Sequence, residues 1–101
     1  MKIYISGPIS GLPIEKAKEA FYQKESELKE KGFDPINPFN NSLPIEADWK
    51  EHLSQDINIL LSCDTIYMLS GWENSKGARI ERAVAKEVGL NIIYEEDIPL
   101  E

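Results

Sequence analysis

The chain has 101 residues, enough for one hydrophobic core and too few for two, so a single domain over 1–101 is expected and any site must sit on it or between copies of it. Apolar residues make up 42% and charged residues 29%, with no low-complexity run, which excludes a disordered chain. The formal net charge of −7 argues against polymeric nucleic acid as a partner, since that contact needs a basic face to displace counterions.

No apolar run reaches the roughly 18 residues of a membrane span. The opening "MKIYISG" is broken by Gly7 and Pro8 too soon for a signal peptide, so no membrane contact and a cytoplasmic location are expected. "KIYIS" (2–6) is a β-branched and aromatic run stopped by "GPISGLP", the pattern of a buried strand and a tight loop. From Pro13 to Lys31, apolar Ile14, Ala17, Phe21 and Leu28 recur at near-helical spacing, and Gly32 follows as a cap. "FDPINP" (33–38) reads as a short strand whose two prolines suit an edge.

Asp48 with Glu51 three residues on marks a second helix start, and Trp49, Leu53, Ile57 and Leu60 then define one face. Cys63, the single cysteine, cannot close an internal disulfide, and with one histidine, His52, no metal-ligand cluster is available. "DTIYMLS" (64–70) is the most apolar strand, suited to the middle of a parallel sheet. A third helix spans about Lys76 to Val88 between Ser75 as N-cap and Gly89 as stop, and "NIIYE" (91–95) is a fourth strand.

This alternation, with right-handed crossovers, predicts an α/β fold, a flavodoxin-like or Rossmann-like three-layer sandwich with a four-stranded parallel sheet in the order 2-1-3-4. Ligands bind such sheets beyond the carboxyl ends of the strands at the switch point, here between the first and third strands. The loops that arrive there are "SGPISG" (6–11) and "SGWENSKG" (70–77). The first, Ser6, Gly7, Pro8, Ile9, Ser10 and Gly11, is either a plain turn or a cradle whose N–H groups and hydroxyls suit an anion or a sugar. It lacks G-x-G-x-x-G, so no dinucleotide is expected, nor any other cofactor. In the second, Trp72 is placed to stack on a flat ligand, and Ser75 and Lys76 open the third helix beside it.

On that helix Gly77, Glu81, Ala85 and Val88 follow one narrow, apolar line. Glu81 reads either as a partly exposed charge beside Arg82 or as a carboxylate in the crevice, approached by ligand over the bare Gly77. Asp56, four residues after His52, reads either as its surface partner or as a second crevice carboxylate for hydrogen bonding or proton transfer. A rise of about 1.5 Å per residue places it about 10 Å along its helix, deep unless the helix starts above the sheet.

Taken together, "KIYISGPISG", "NP" and "DI..L..CD.IYML.GWE.S.GA..E...A...G..I.YE" resemble the nucleoside 2-deoxyribosyltransferase-like proteins over nearly the whole chain, and specifically a small branch of unknown function. The likeness is looser to the nucleoside 2-deoxyribosyltransferases and the 2'-deoxynucleoside 5'-phosphate N-hydrolases. It implies Glu81 as nucleophile, Asp56 as a further active-site carboxylate, Tyr4 as the first-strand tyrosine, and the 6–11 loop as a substrate loop. Ser75 is similar to the N-hydrolase serine that helps hold a 5'-phosphate, where the transferases carry an aspartate. Arg79 replaces a small residue and either binds an anion or blocks the pocket. Those enzymes complete one another's sites through a C-terminal segment that does not follow the fourth strand here. Two sheet edges and a small core favour a homo-oligomer.

The resulting expectation is N-glycosidic bond cleavage or transfer on a small-molecule 2'-deoxynucleoside or its 5'-monophosphate. The alternatives are a non-catalytic nucleotide sensor, with Arg79 paired to the ligand or to Glu81, and an assembly protein whose site is vestigial.

Overall fold

The computed structural model describes residues 1–9, 12–40, 43 and 46–95. Four strands, β1 (Lys2–Ser6), β2 (Asp34–Ile36), β3 (Thr65–Met68) and β4 (Asn91–Tyr94), alternate with three helices, α1 (Ile14–Glu30), α2 (Trp49–Leu60) and α3 (Lys76–Val88). The sheet is parallel throughout in the order β2-β1-β3-β4. This is the three-layer α/β sandwich read from the sequence, with the switch point between β1 and β3.

β1 spans the whole of its expected run, while β2, β3 and β4 are each shorter than theirs. Pro35 and Pro38 lack the N–H a ladder needs, so after Ile36 the chain leaves the edge and turns through a 3-10 segment, Pro38–Asn40. The helices stop where expected, with Gly32 and Gly89 in the left-handed region at φ 89° and 85°. α2 opens on a capping box in which Glu51 accepts from the Asp48 N–H at 3.2 Å.

The strand period of two divides the core into two halves. Ile3 and Ile5 of β1 and Leu69 pack with Phe21 and Leu28 of α1 on one face. Tyr4 of β1 and Ile66 and Met68 of β3 pack with Leu60, Ala78 and Ala85 from α2 and α3 on the other. Every even-numbered β1 side chain from Tyr4 onward therefore enters the α2/α3 layer, and Ser6, the last of them, does so at the carboxyl end of the sheet. There Ser6 pairs in register with Met68, and its carbonyl accepts from the Leu69 N–H at 2.7 Å, drawing the two loops together.

Their contact is close enough to dictate a residue. A Cβ on Gly7 would lie 2.7 Å from the Leu69 Cβ, closer than two carbons can pack, so only glycine lets the loops meet. Pro8 in turn lies against Gly71, its Cγ 3.4 Å from where a Gly71 side chain would begin. The crevice between the two loops is thus formed as the topology requires.

Candidate active site

The centre of the crevice is Glu81. α3 carries it on the stripe it shares with Ala78 and Ala85, all three buried, which aims the carboxylate across the sheet at β1. The Tyr4 hydroxyl donates to Glu81 Oε2 at 2.9 Å and the Ser6 hydroxyl donates to Oε1 at 2.7 Å. Each carboxylate oxygen has one donor and keeps a second lone pair. Tyr4 and Ser6 are fully enclosed and Glu81 retains 7% exposure. Val88, at the end of the line drawn from Gly77, is 53% exposed, so the enclosed part of that line ends at Ala85.

Burial pushes the Glu81 pKa up to about 7. The hydroxyls of Ser6 and Tyr4 stabilise the anion and hold the value down, while the negative charge of Asp56 pushes it up. The same burial, with the Glu81 charge, holds the Tyr4 phenol well above its ordinary value, so Tyr4 stays a proton donor to the carboxylate.

Glu81 forms part of the wall of a cavity of about 390 Å³, a volume that suits a small metabolite rather than a polymer. Of the residues expected at the site, Gly7, Ile9, Asp56, Ser75 and Gly77 line it with Glu81. Asp56 is not too deep. At 9% exposure it is buried yet reaches the cavity, because α2 sets Trp49, His52, Leu53 and Asp56 on one face along the wall. Ser75 accepts from the Ala78 N–H at 3.2 Å as N-cap and also lines the cavity.

Tyr4 and Ser6 stand behind Glu81 rather than on the wall, each hydrogen-bonded to its carboxylate. Pro8 belongs to the loop contact with Gly71 and does not line the cavity. Ser10 and Gly11 lie outside the described residues. Trp72 corrects the expectation of a stacking platform. Its ring lies 5.7 Å from that of Tyr94 with the Arg82 guanidinium 5.0 Å over it, so the indole is consumed in packing α3 onto β4. Lys76 is likewise absent from the lining and sits 5.5 Å over the Trp49 ring.

Arg79 neither blocks the pocket nor pairs with Glu81. It is exposed and donates to the Glu73 carbonyl at 2.7 Å. Lining residues not anticipated at the site include Lys18, Phe39, Trp49 and Leu53. For α2 the signal was present, since the period that marks a core stripe marks equally a stripe facing a cavity. Among the described residues no three His, Cys, Asp or Glu side chains converge as a metal site requires, and no helix is long and apolar enough to cross a membrane.

Residues 1–94 match the family described as a domain of unknown function, DUF4406. The chain belongs to that family. No curated protein matches this DUF4406 chain by sequence. Among solved structures it is similar to a 2-desoxiribosyltransferase from Leishmania mexicana, with a TM-score of 0.71 and 23% identity over 92% of this chain. It is similar also to a CMP N-glycosidase from Clostridium botulinum, with a TM-score of 0.65 and 21% identity over 96% of this chain. The DUF4406 chain spans 62% of the first protein's length and 72% of the second's. At such identity the likeness establishes a fold shared with these two proteins.

Proposed function

We propose that this protein cleaves or transfers the N-glycosidic bond of a 2'-deoxynucleoside or its 5'-monophosphate, with Glu81 as nucleophile. The observation that carries this reading is the buried Glu81 carboxylate at the cavity wall, held on both oxygens by Tyr4 and Ser6 and balanced near neutrality. An incidental helix glutamate has no need of two buried donors. A nucleophilic carboxylate does, because it must be oriented and partly desolvated while staying ionisable.

In the proposed reaction a Glu81 oxygen forms a bond to the anomeric carbon as the carbon–nitrogen bond breaks, and the electron pair leaves with the base, which takes up a proton. Water, or the nitrogen of a second base, then attacks the same carbon and releases the Glu81 carboxylate, as in retaining glycoside hydrolysis. Asp56, on the same cavity wall, orients Glu81 or handles the proton. The names of the two similar structures, a deoxyribosyltransferase and an N-glycosidase, support this class of chemistry, and Ser75 at the cavity is consistent with a substrate 5'-oxygen or phosphate.

The test is incubation with deoxynucleosides, their 5'-monophosphates and CMP, following free base by chromatography. Base release is expected, and Glu81→Gln, which keeps the shape and loses the attacking charge, should reduce turnover by at least about a thousandfold. Absence of base release from every substrate, or wild-type turnover in Glu81→Gln, overturns the reading. Protection of the protein against thermal unfolding by a nucleotide that is not cleaved would instead identify a sensor.

A further inference from the structure

Lys18 is the one Lys or Arg among the described residues lining the cavity. It sits one turn after Ile14 on α1, and this spacing brings both side chains to the same cavity from the same helix face. α1 packs on the opposite side of the sheet from α2 and α3, so Lys18 reaches the cavity from the α1 side of the sheet and Asp56 and Glu81 reach it from the other. Lys18 is half-buried, and among the described residues it makes no hydrogen bond and no ion pair. Two other lysines of α1 are paired, and the exposed Lys16 does not reach the cavity. Lys24 pairs with Glu27 at 3.0 Å and Glu95 at 3.6 Å, and Lys29 lies 3.8 Å from Glu25.

Lys18 lines the cavity with no acceptor among the described residues, which leaves its three ammonium donors for an occupant. The other charged groups on the wall make the placement selective. A phosphate near Asp56 and Glu81 meets like charge, whereas at the α1 wall it meets an ammonium, so the two ends of a substrate are told apart. Phe39 and Trp49 add apolar surface to the cavity wall that suits a flat ring.

Resting on the glycosidic reading above, we propose that Lys18 is the specificity-determining residue that selects a substrate carrying a phosphate over the corresponding free nucleoside. Lys18 binds the phosphate, away from the carboxylates, and leaves the sugar–base bond toward Glu81.

The test measures binding of a deoxynucleoside and its 5'-monophosphate by calorimetry, to the wild type and to Lys18→Met, with Glu81→Gln as the background so that no turnover intervenes. Lys18→Met keeps the aliphatic stem and removes the charge. The expected result is tighter binding of the monophosphate than of the nucleoside by at least about tenfold, with the difference lost in Lys18→Met and nucleoside affinity unchanged. Lys18→Arg should restore most of the preference, which a merely structural role would not produce. Equal binding of both ligands by the protein with Lys18, equal weakening of both by Lys18→Met, or no binding of either overturns the proposal. The base-release assay separates this from the catalytic reading. Lys18-dependent discrimination without base release leaves Lys18 as selector and sinks the glycosidase, and base release without discrimination sinks only the selector.

Discussion

Glu81 illustrates how opposed local effects set a functional group. Burial alone drives a carboxylic acid toward permanent protonation, and two hydroxyl donors alone would leave it an ordinary anion. With both acting, it titrates at about 7. If ionised Glu81 is the nucleophile, kcat/KM should show an acid limb near that value, falling as pH drops and the carboxylate protonates. Tyr4→Phe and Ser6→Ala each delete a donor that favours the anion, so each limb should move to higher pH. Activity at pH values above the limb should be affected less than activity at neutrality. On the proposed reading these two are positioning residues, and pH–rate profiles of the variants test that role. Limbs that stay in place while the plateau collapses would show that the hydroxyls do something other than tune Glu81. Ser75→Asp tests the remaining polar group. With the phosphate held at Lys18, a carboxylate at 75 still adds negative charge to the same cavity, so relative kcat/KM should shift modestly toward the free nucleoside.

The two glycines of the crevice separate fold from site at the level of whole elements. Gly7 joins β1 to the loop that meets Leu69, and a Cβ there would strike the Leu69 Cβ at 2.7 Å, an atom that moves only with its backbone. Gly7→Ala should therefore destabilise the protein by about 1–3 kcal/mol in urea unfolding. Gly77, in the first turn of α3, has room, the nearest atom to an added Cβ being Trp49 Nε1 at 3.9 Å. Gly77→Ala should leave stability unchanged or raise it by up to about 1 kcal/mol, since alanine restricts the unfolded chain. Larger residues at 77 should keep the fold and fill the cavity, raising KM. The order of elements was legible because each strand and helix carries its own period and its own stop, from Pro35 on the edge strand to the Asp48 box on α2. Trp72 was not legible as packing, because its partners Arg82 and Tyr94 come from α3 and β4 and meet it only in the folded molecule. The place of Trp49 at the cavity was not legible for the complementary reason. It falls on the periodic face of α2, but that face runs past the sheet, where the residue is 40% exposed at the cavity instead of in the core. Lys18 looked like one of many helix charges, and only the cavity distinguishes it.

For the molecule as a whole, β2 and β4 are both sheet edges, and they are defended unequally. Pro35 blunts β2, while β4 presents a four-residue edge with Ile93 exposed. Association is therefore expected to use the β4 side, and Ile93→Lys should lower the sedimentation coefficient at micromolar protein if it does, whereas a wild type that sediments as a monomer would remove the expectation. The site also leaves a mark on global stability. Glu81 titrates at about 7 in the folded protein against 4.5 for an exposed glutamate, so the folded state holds this proton more tightly than the unfolded chain does. Its stabilising contribution is then complete below pH 4.5 and is lost as pH rises through 7. The gap corresponds to on the order of 3 kcal/mol, a sizeable part of the stability of a domain this small. Other carboxylates titrate as well, so the measurement is the difference between two proteins. In urea titrations from pH 4.5 to 8, Glu81→Gln, which never ionises, should gain stability relative to the wild type across the interval and hold the gain above it. A difference that does not vary with pH would mean that Glu81 is an ordinary surface acid in solution, and the case for a carboxylate placed for chemistry would go with it.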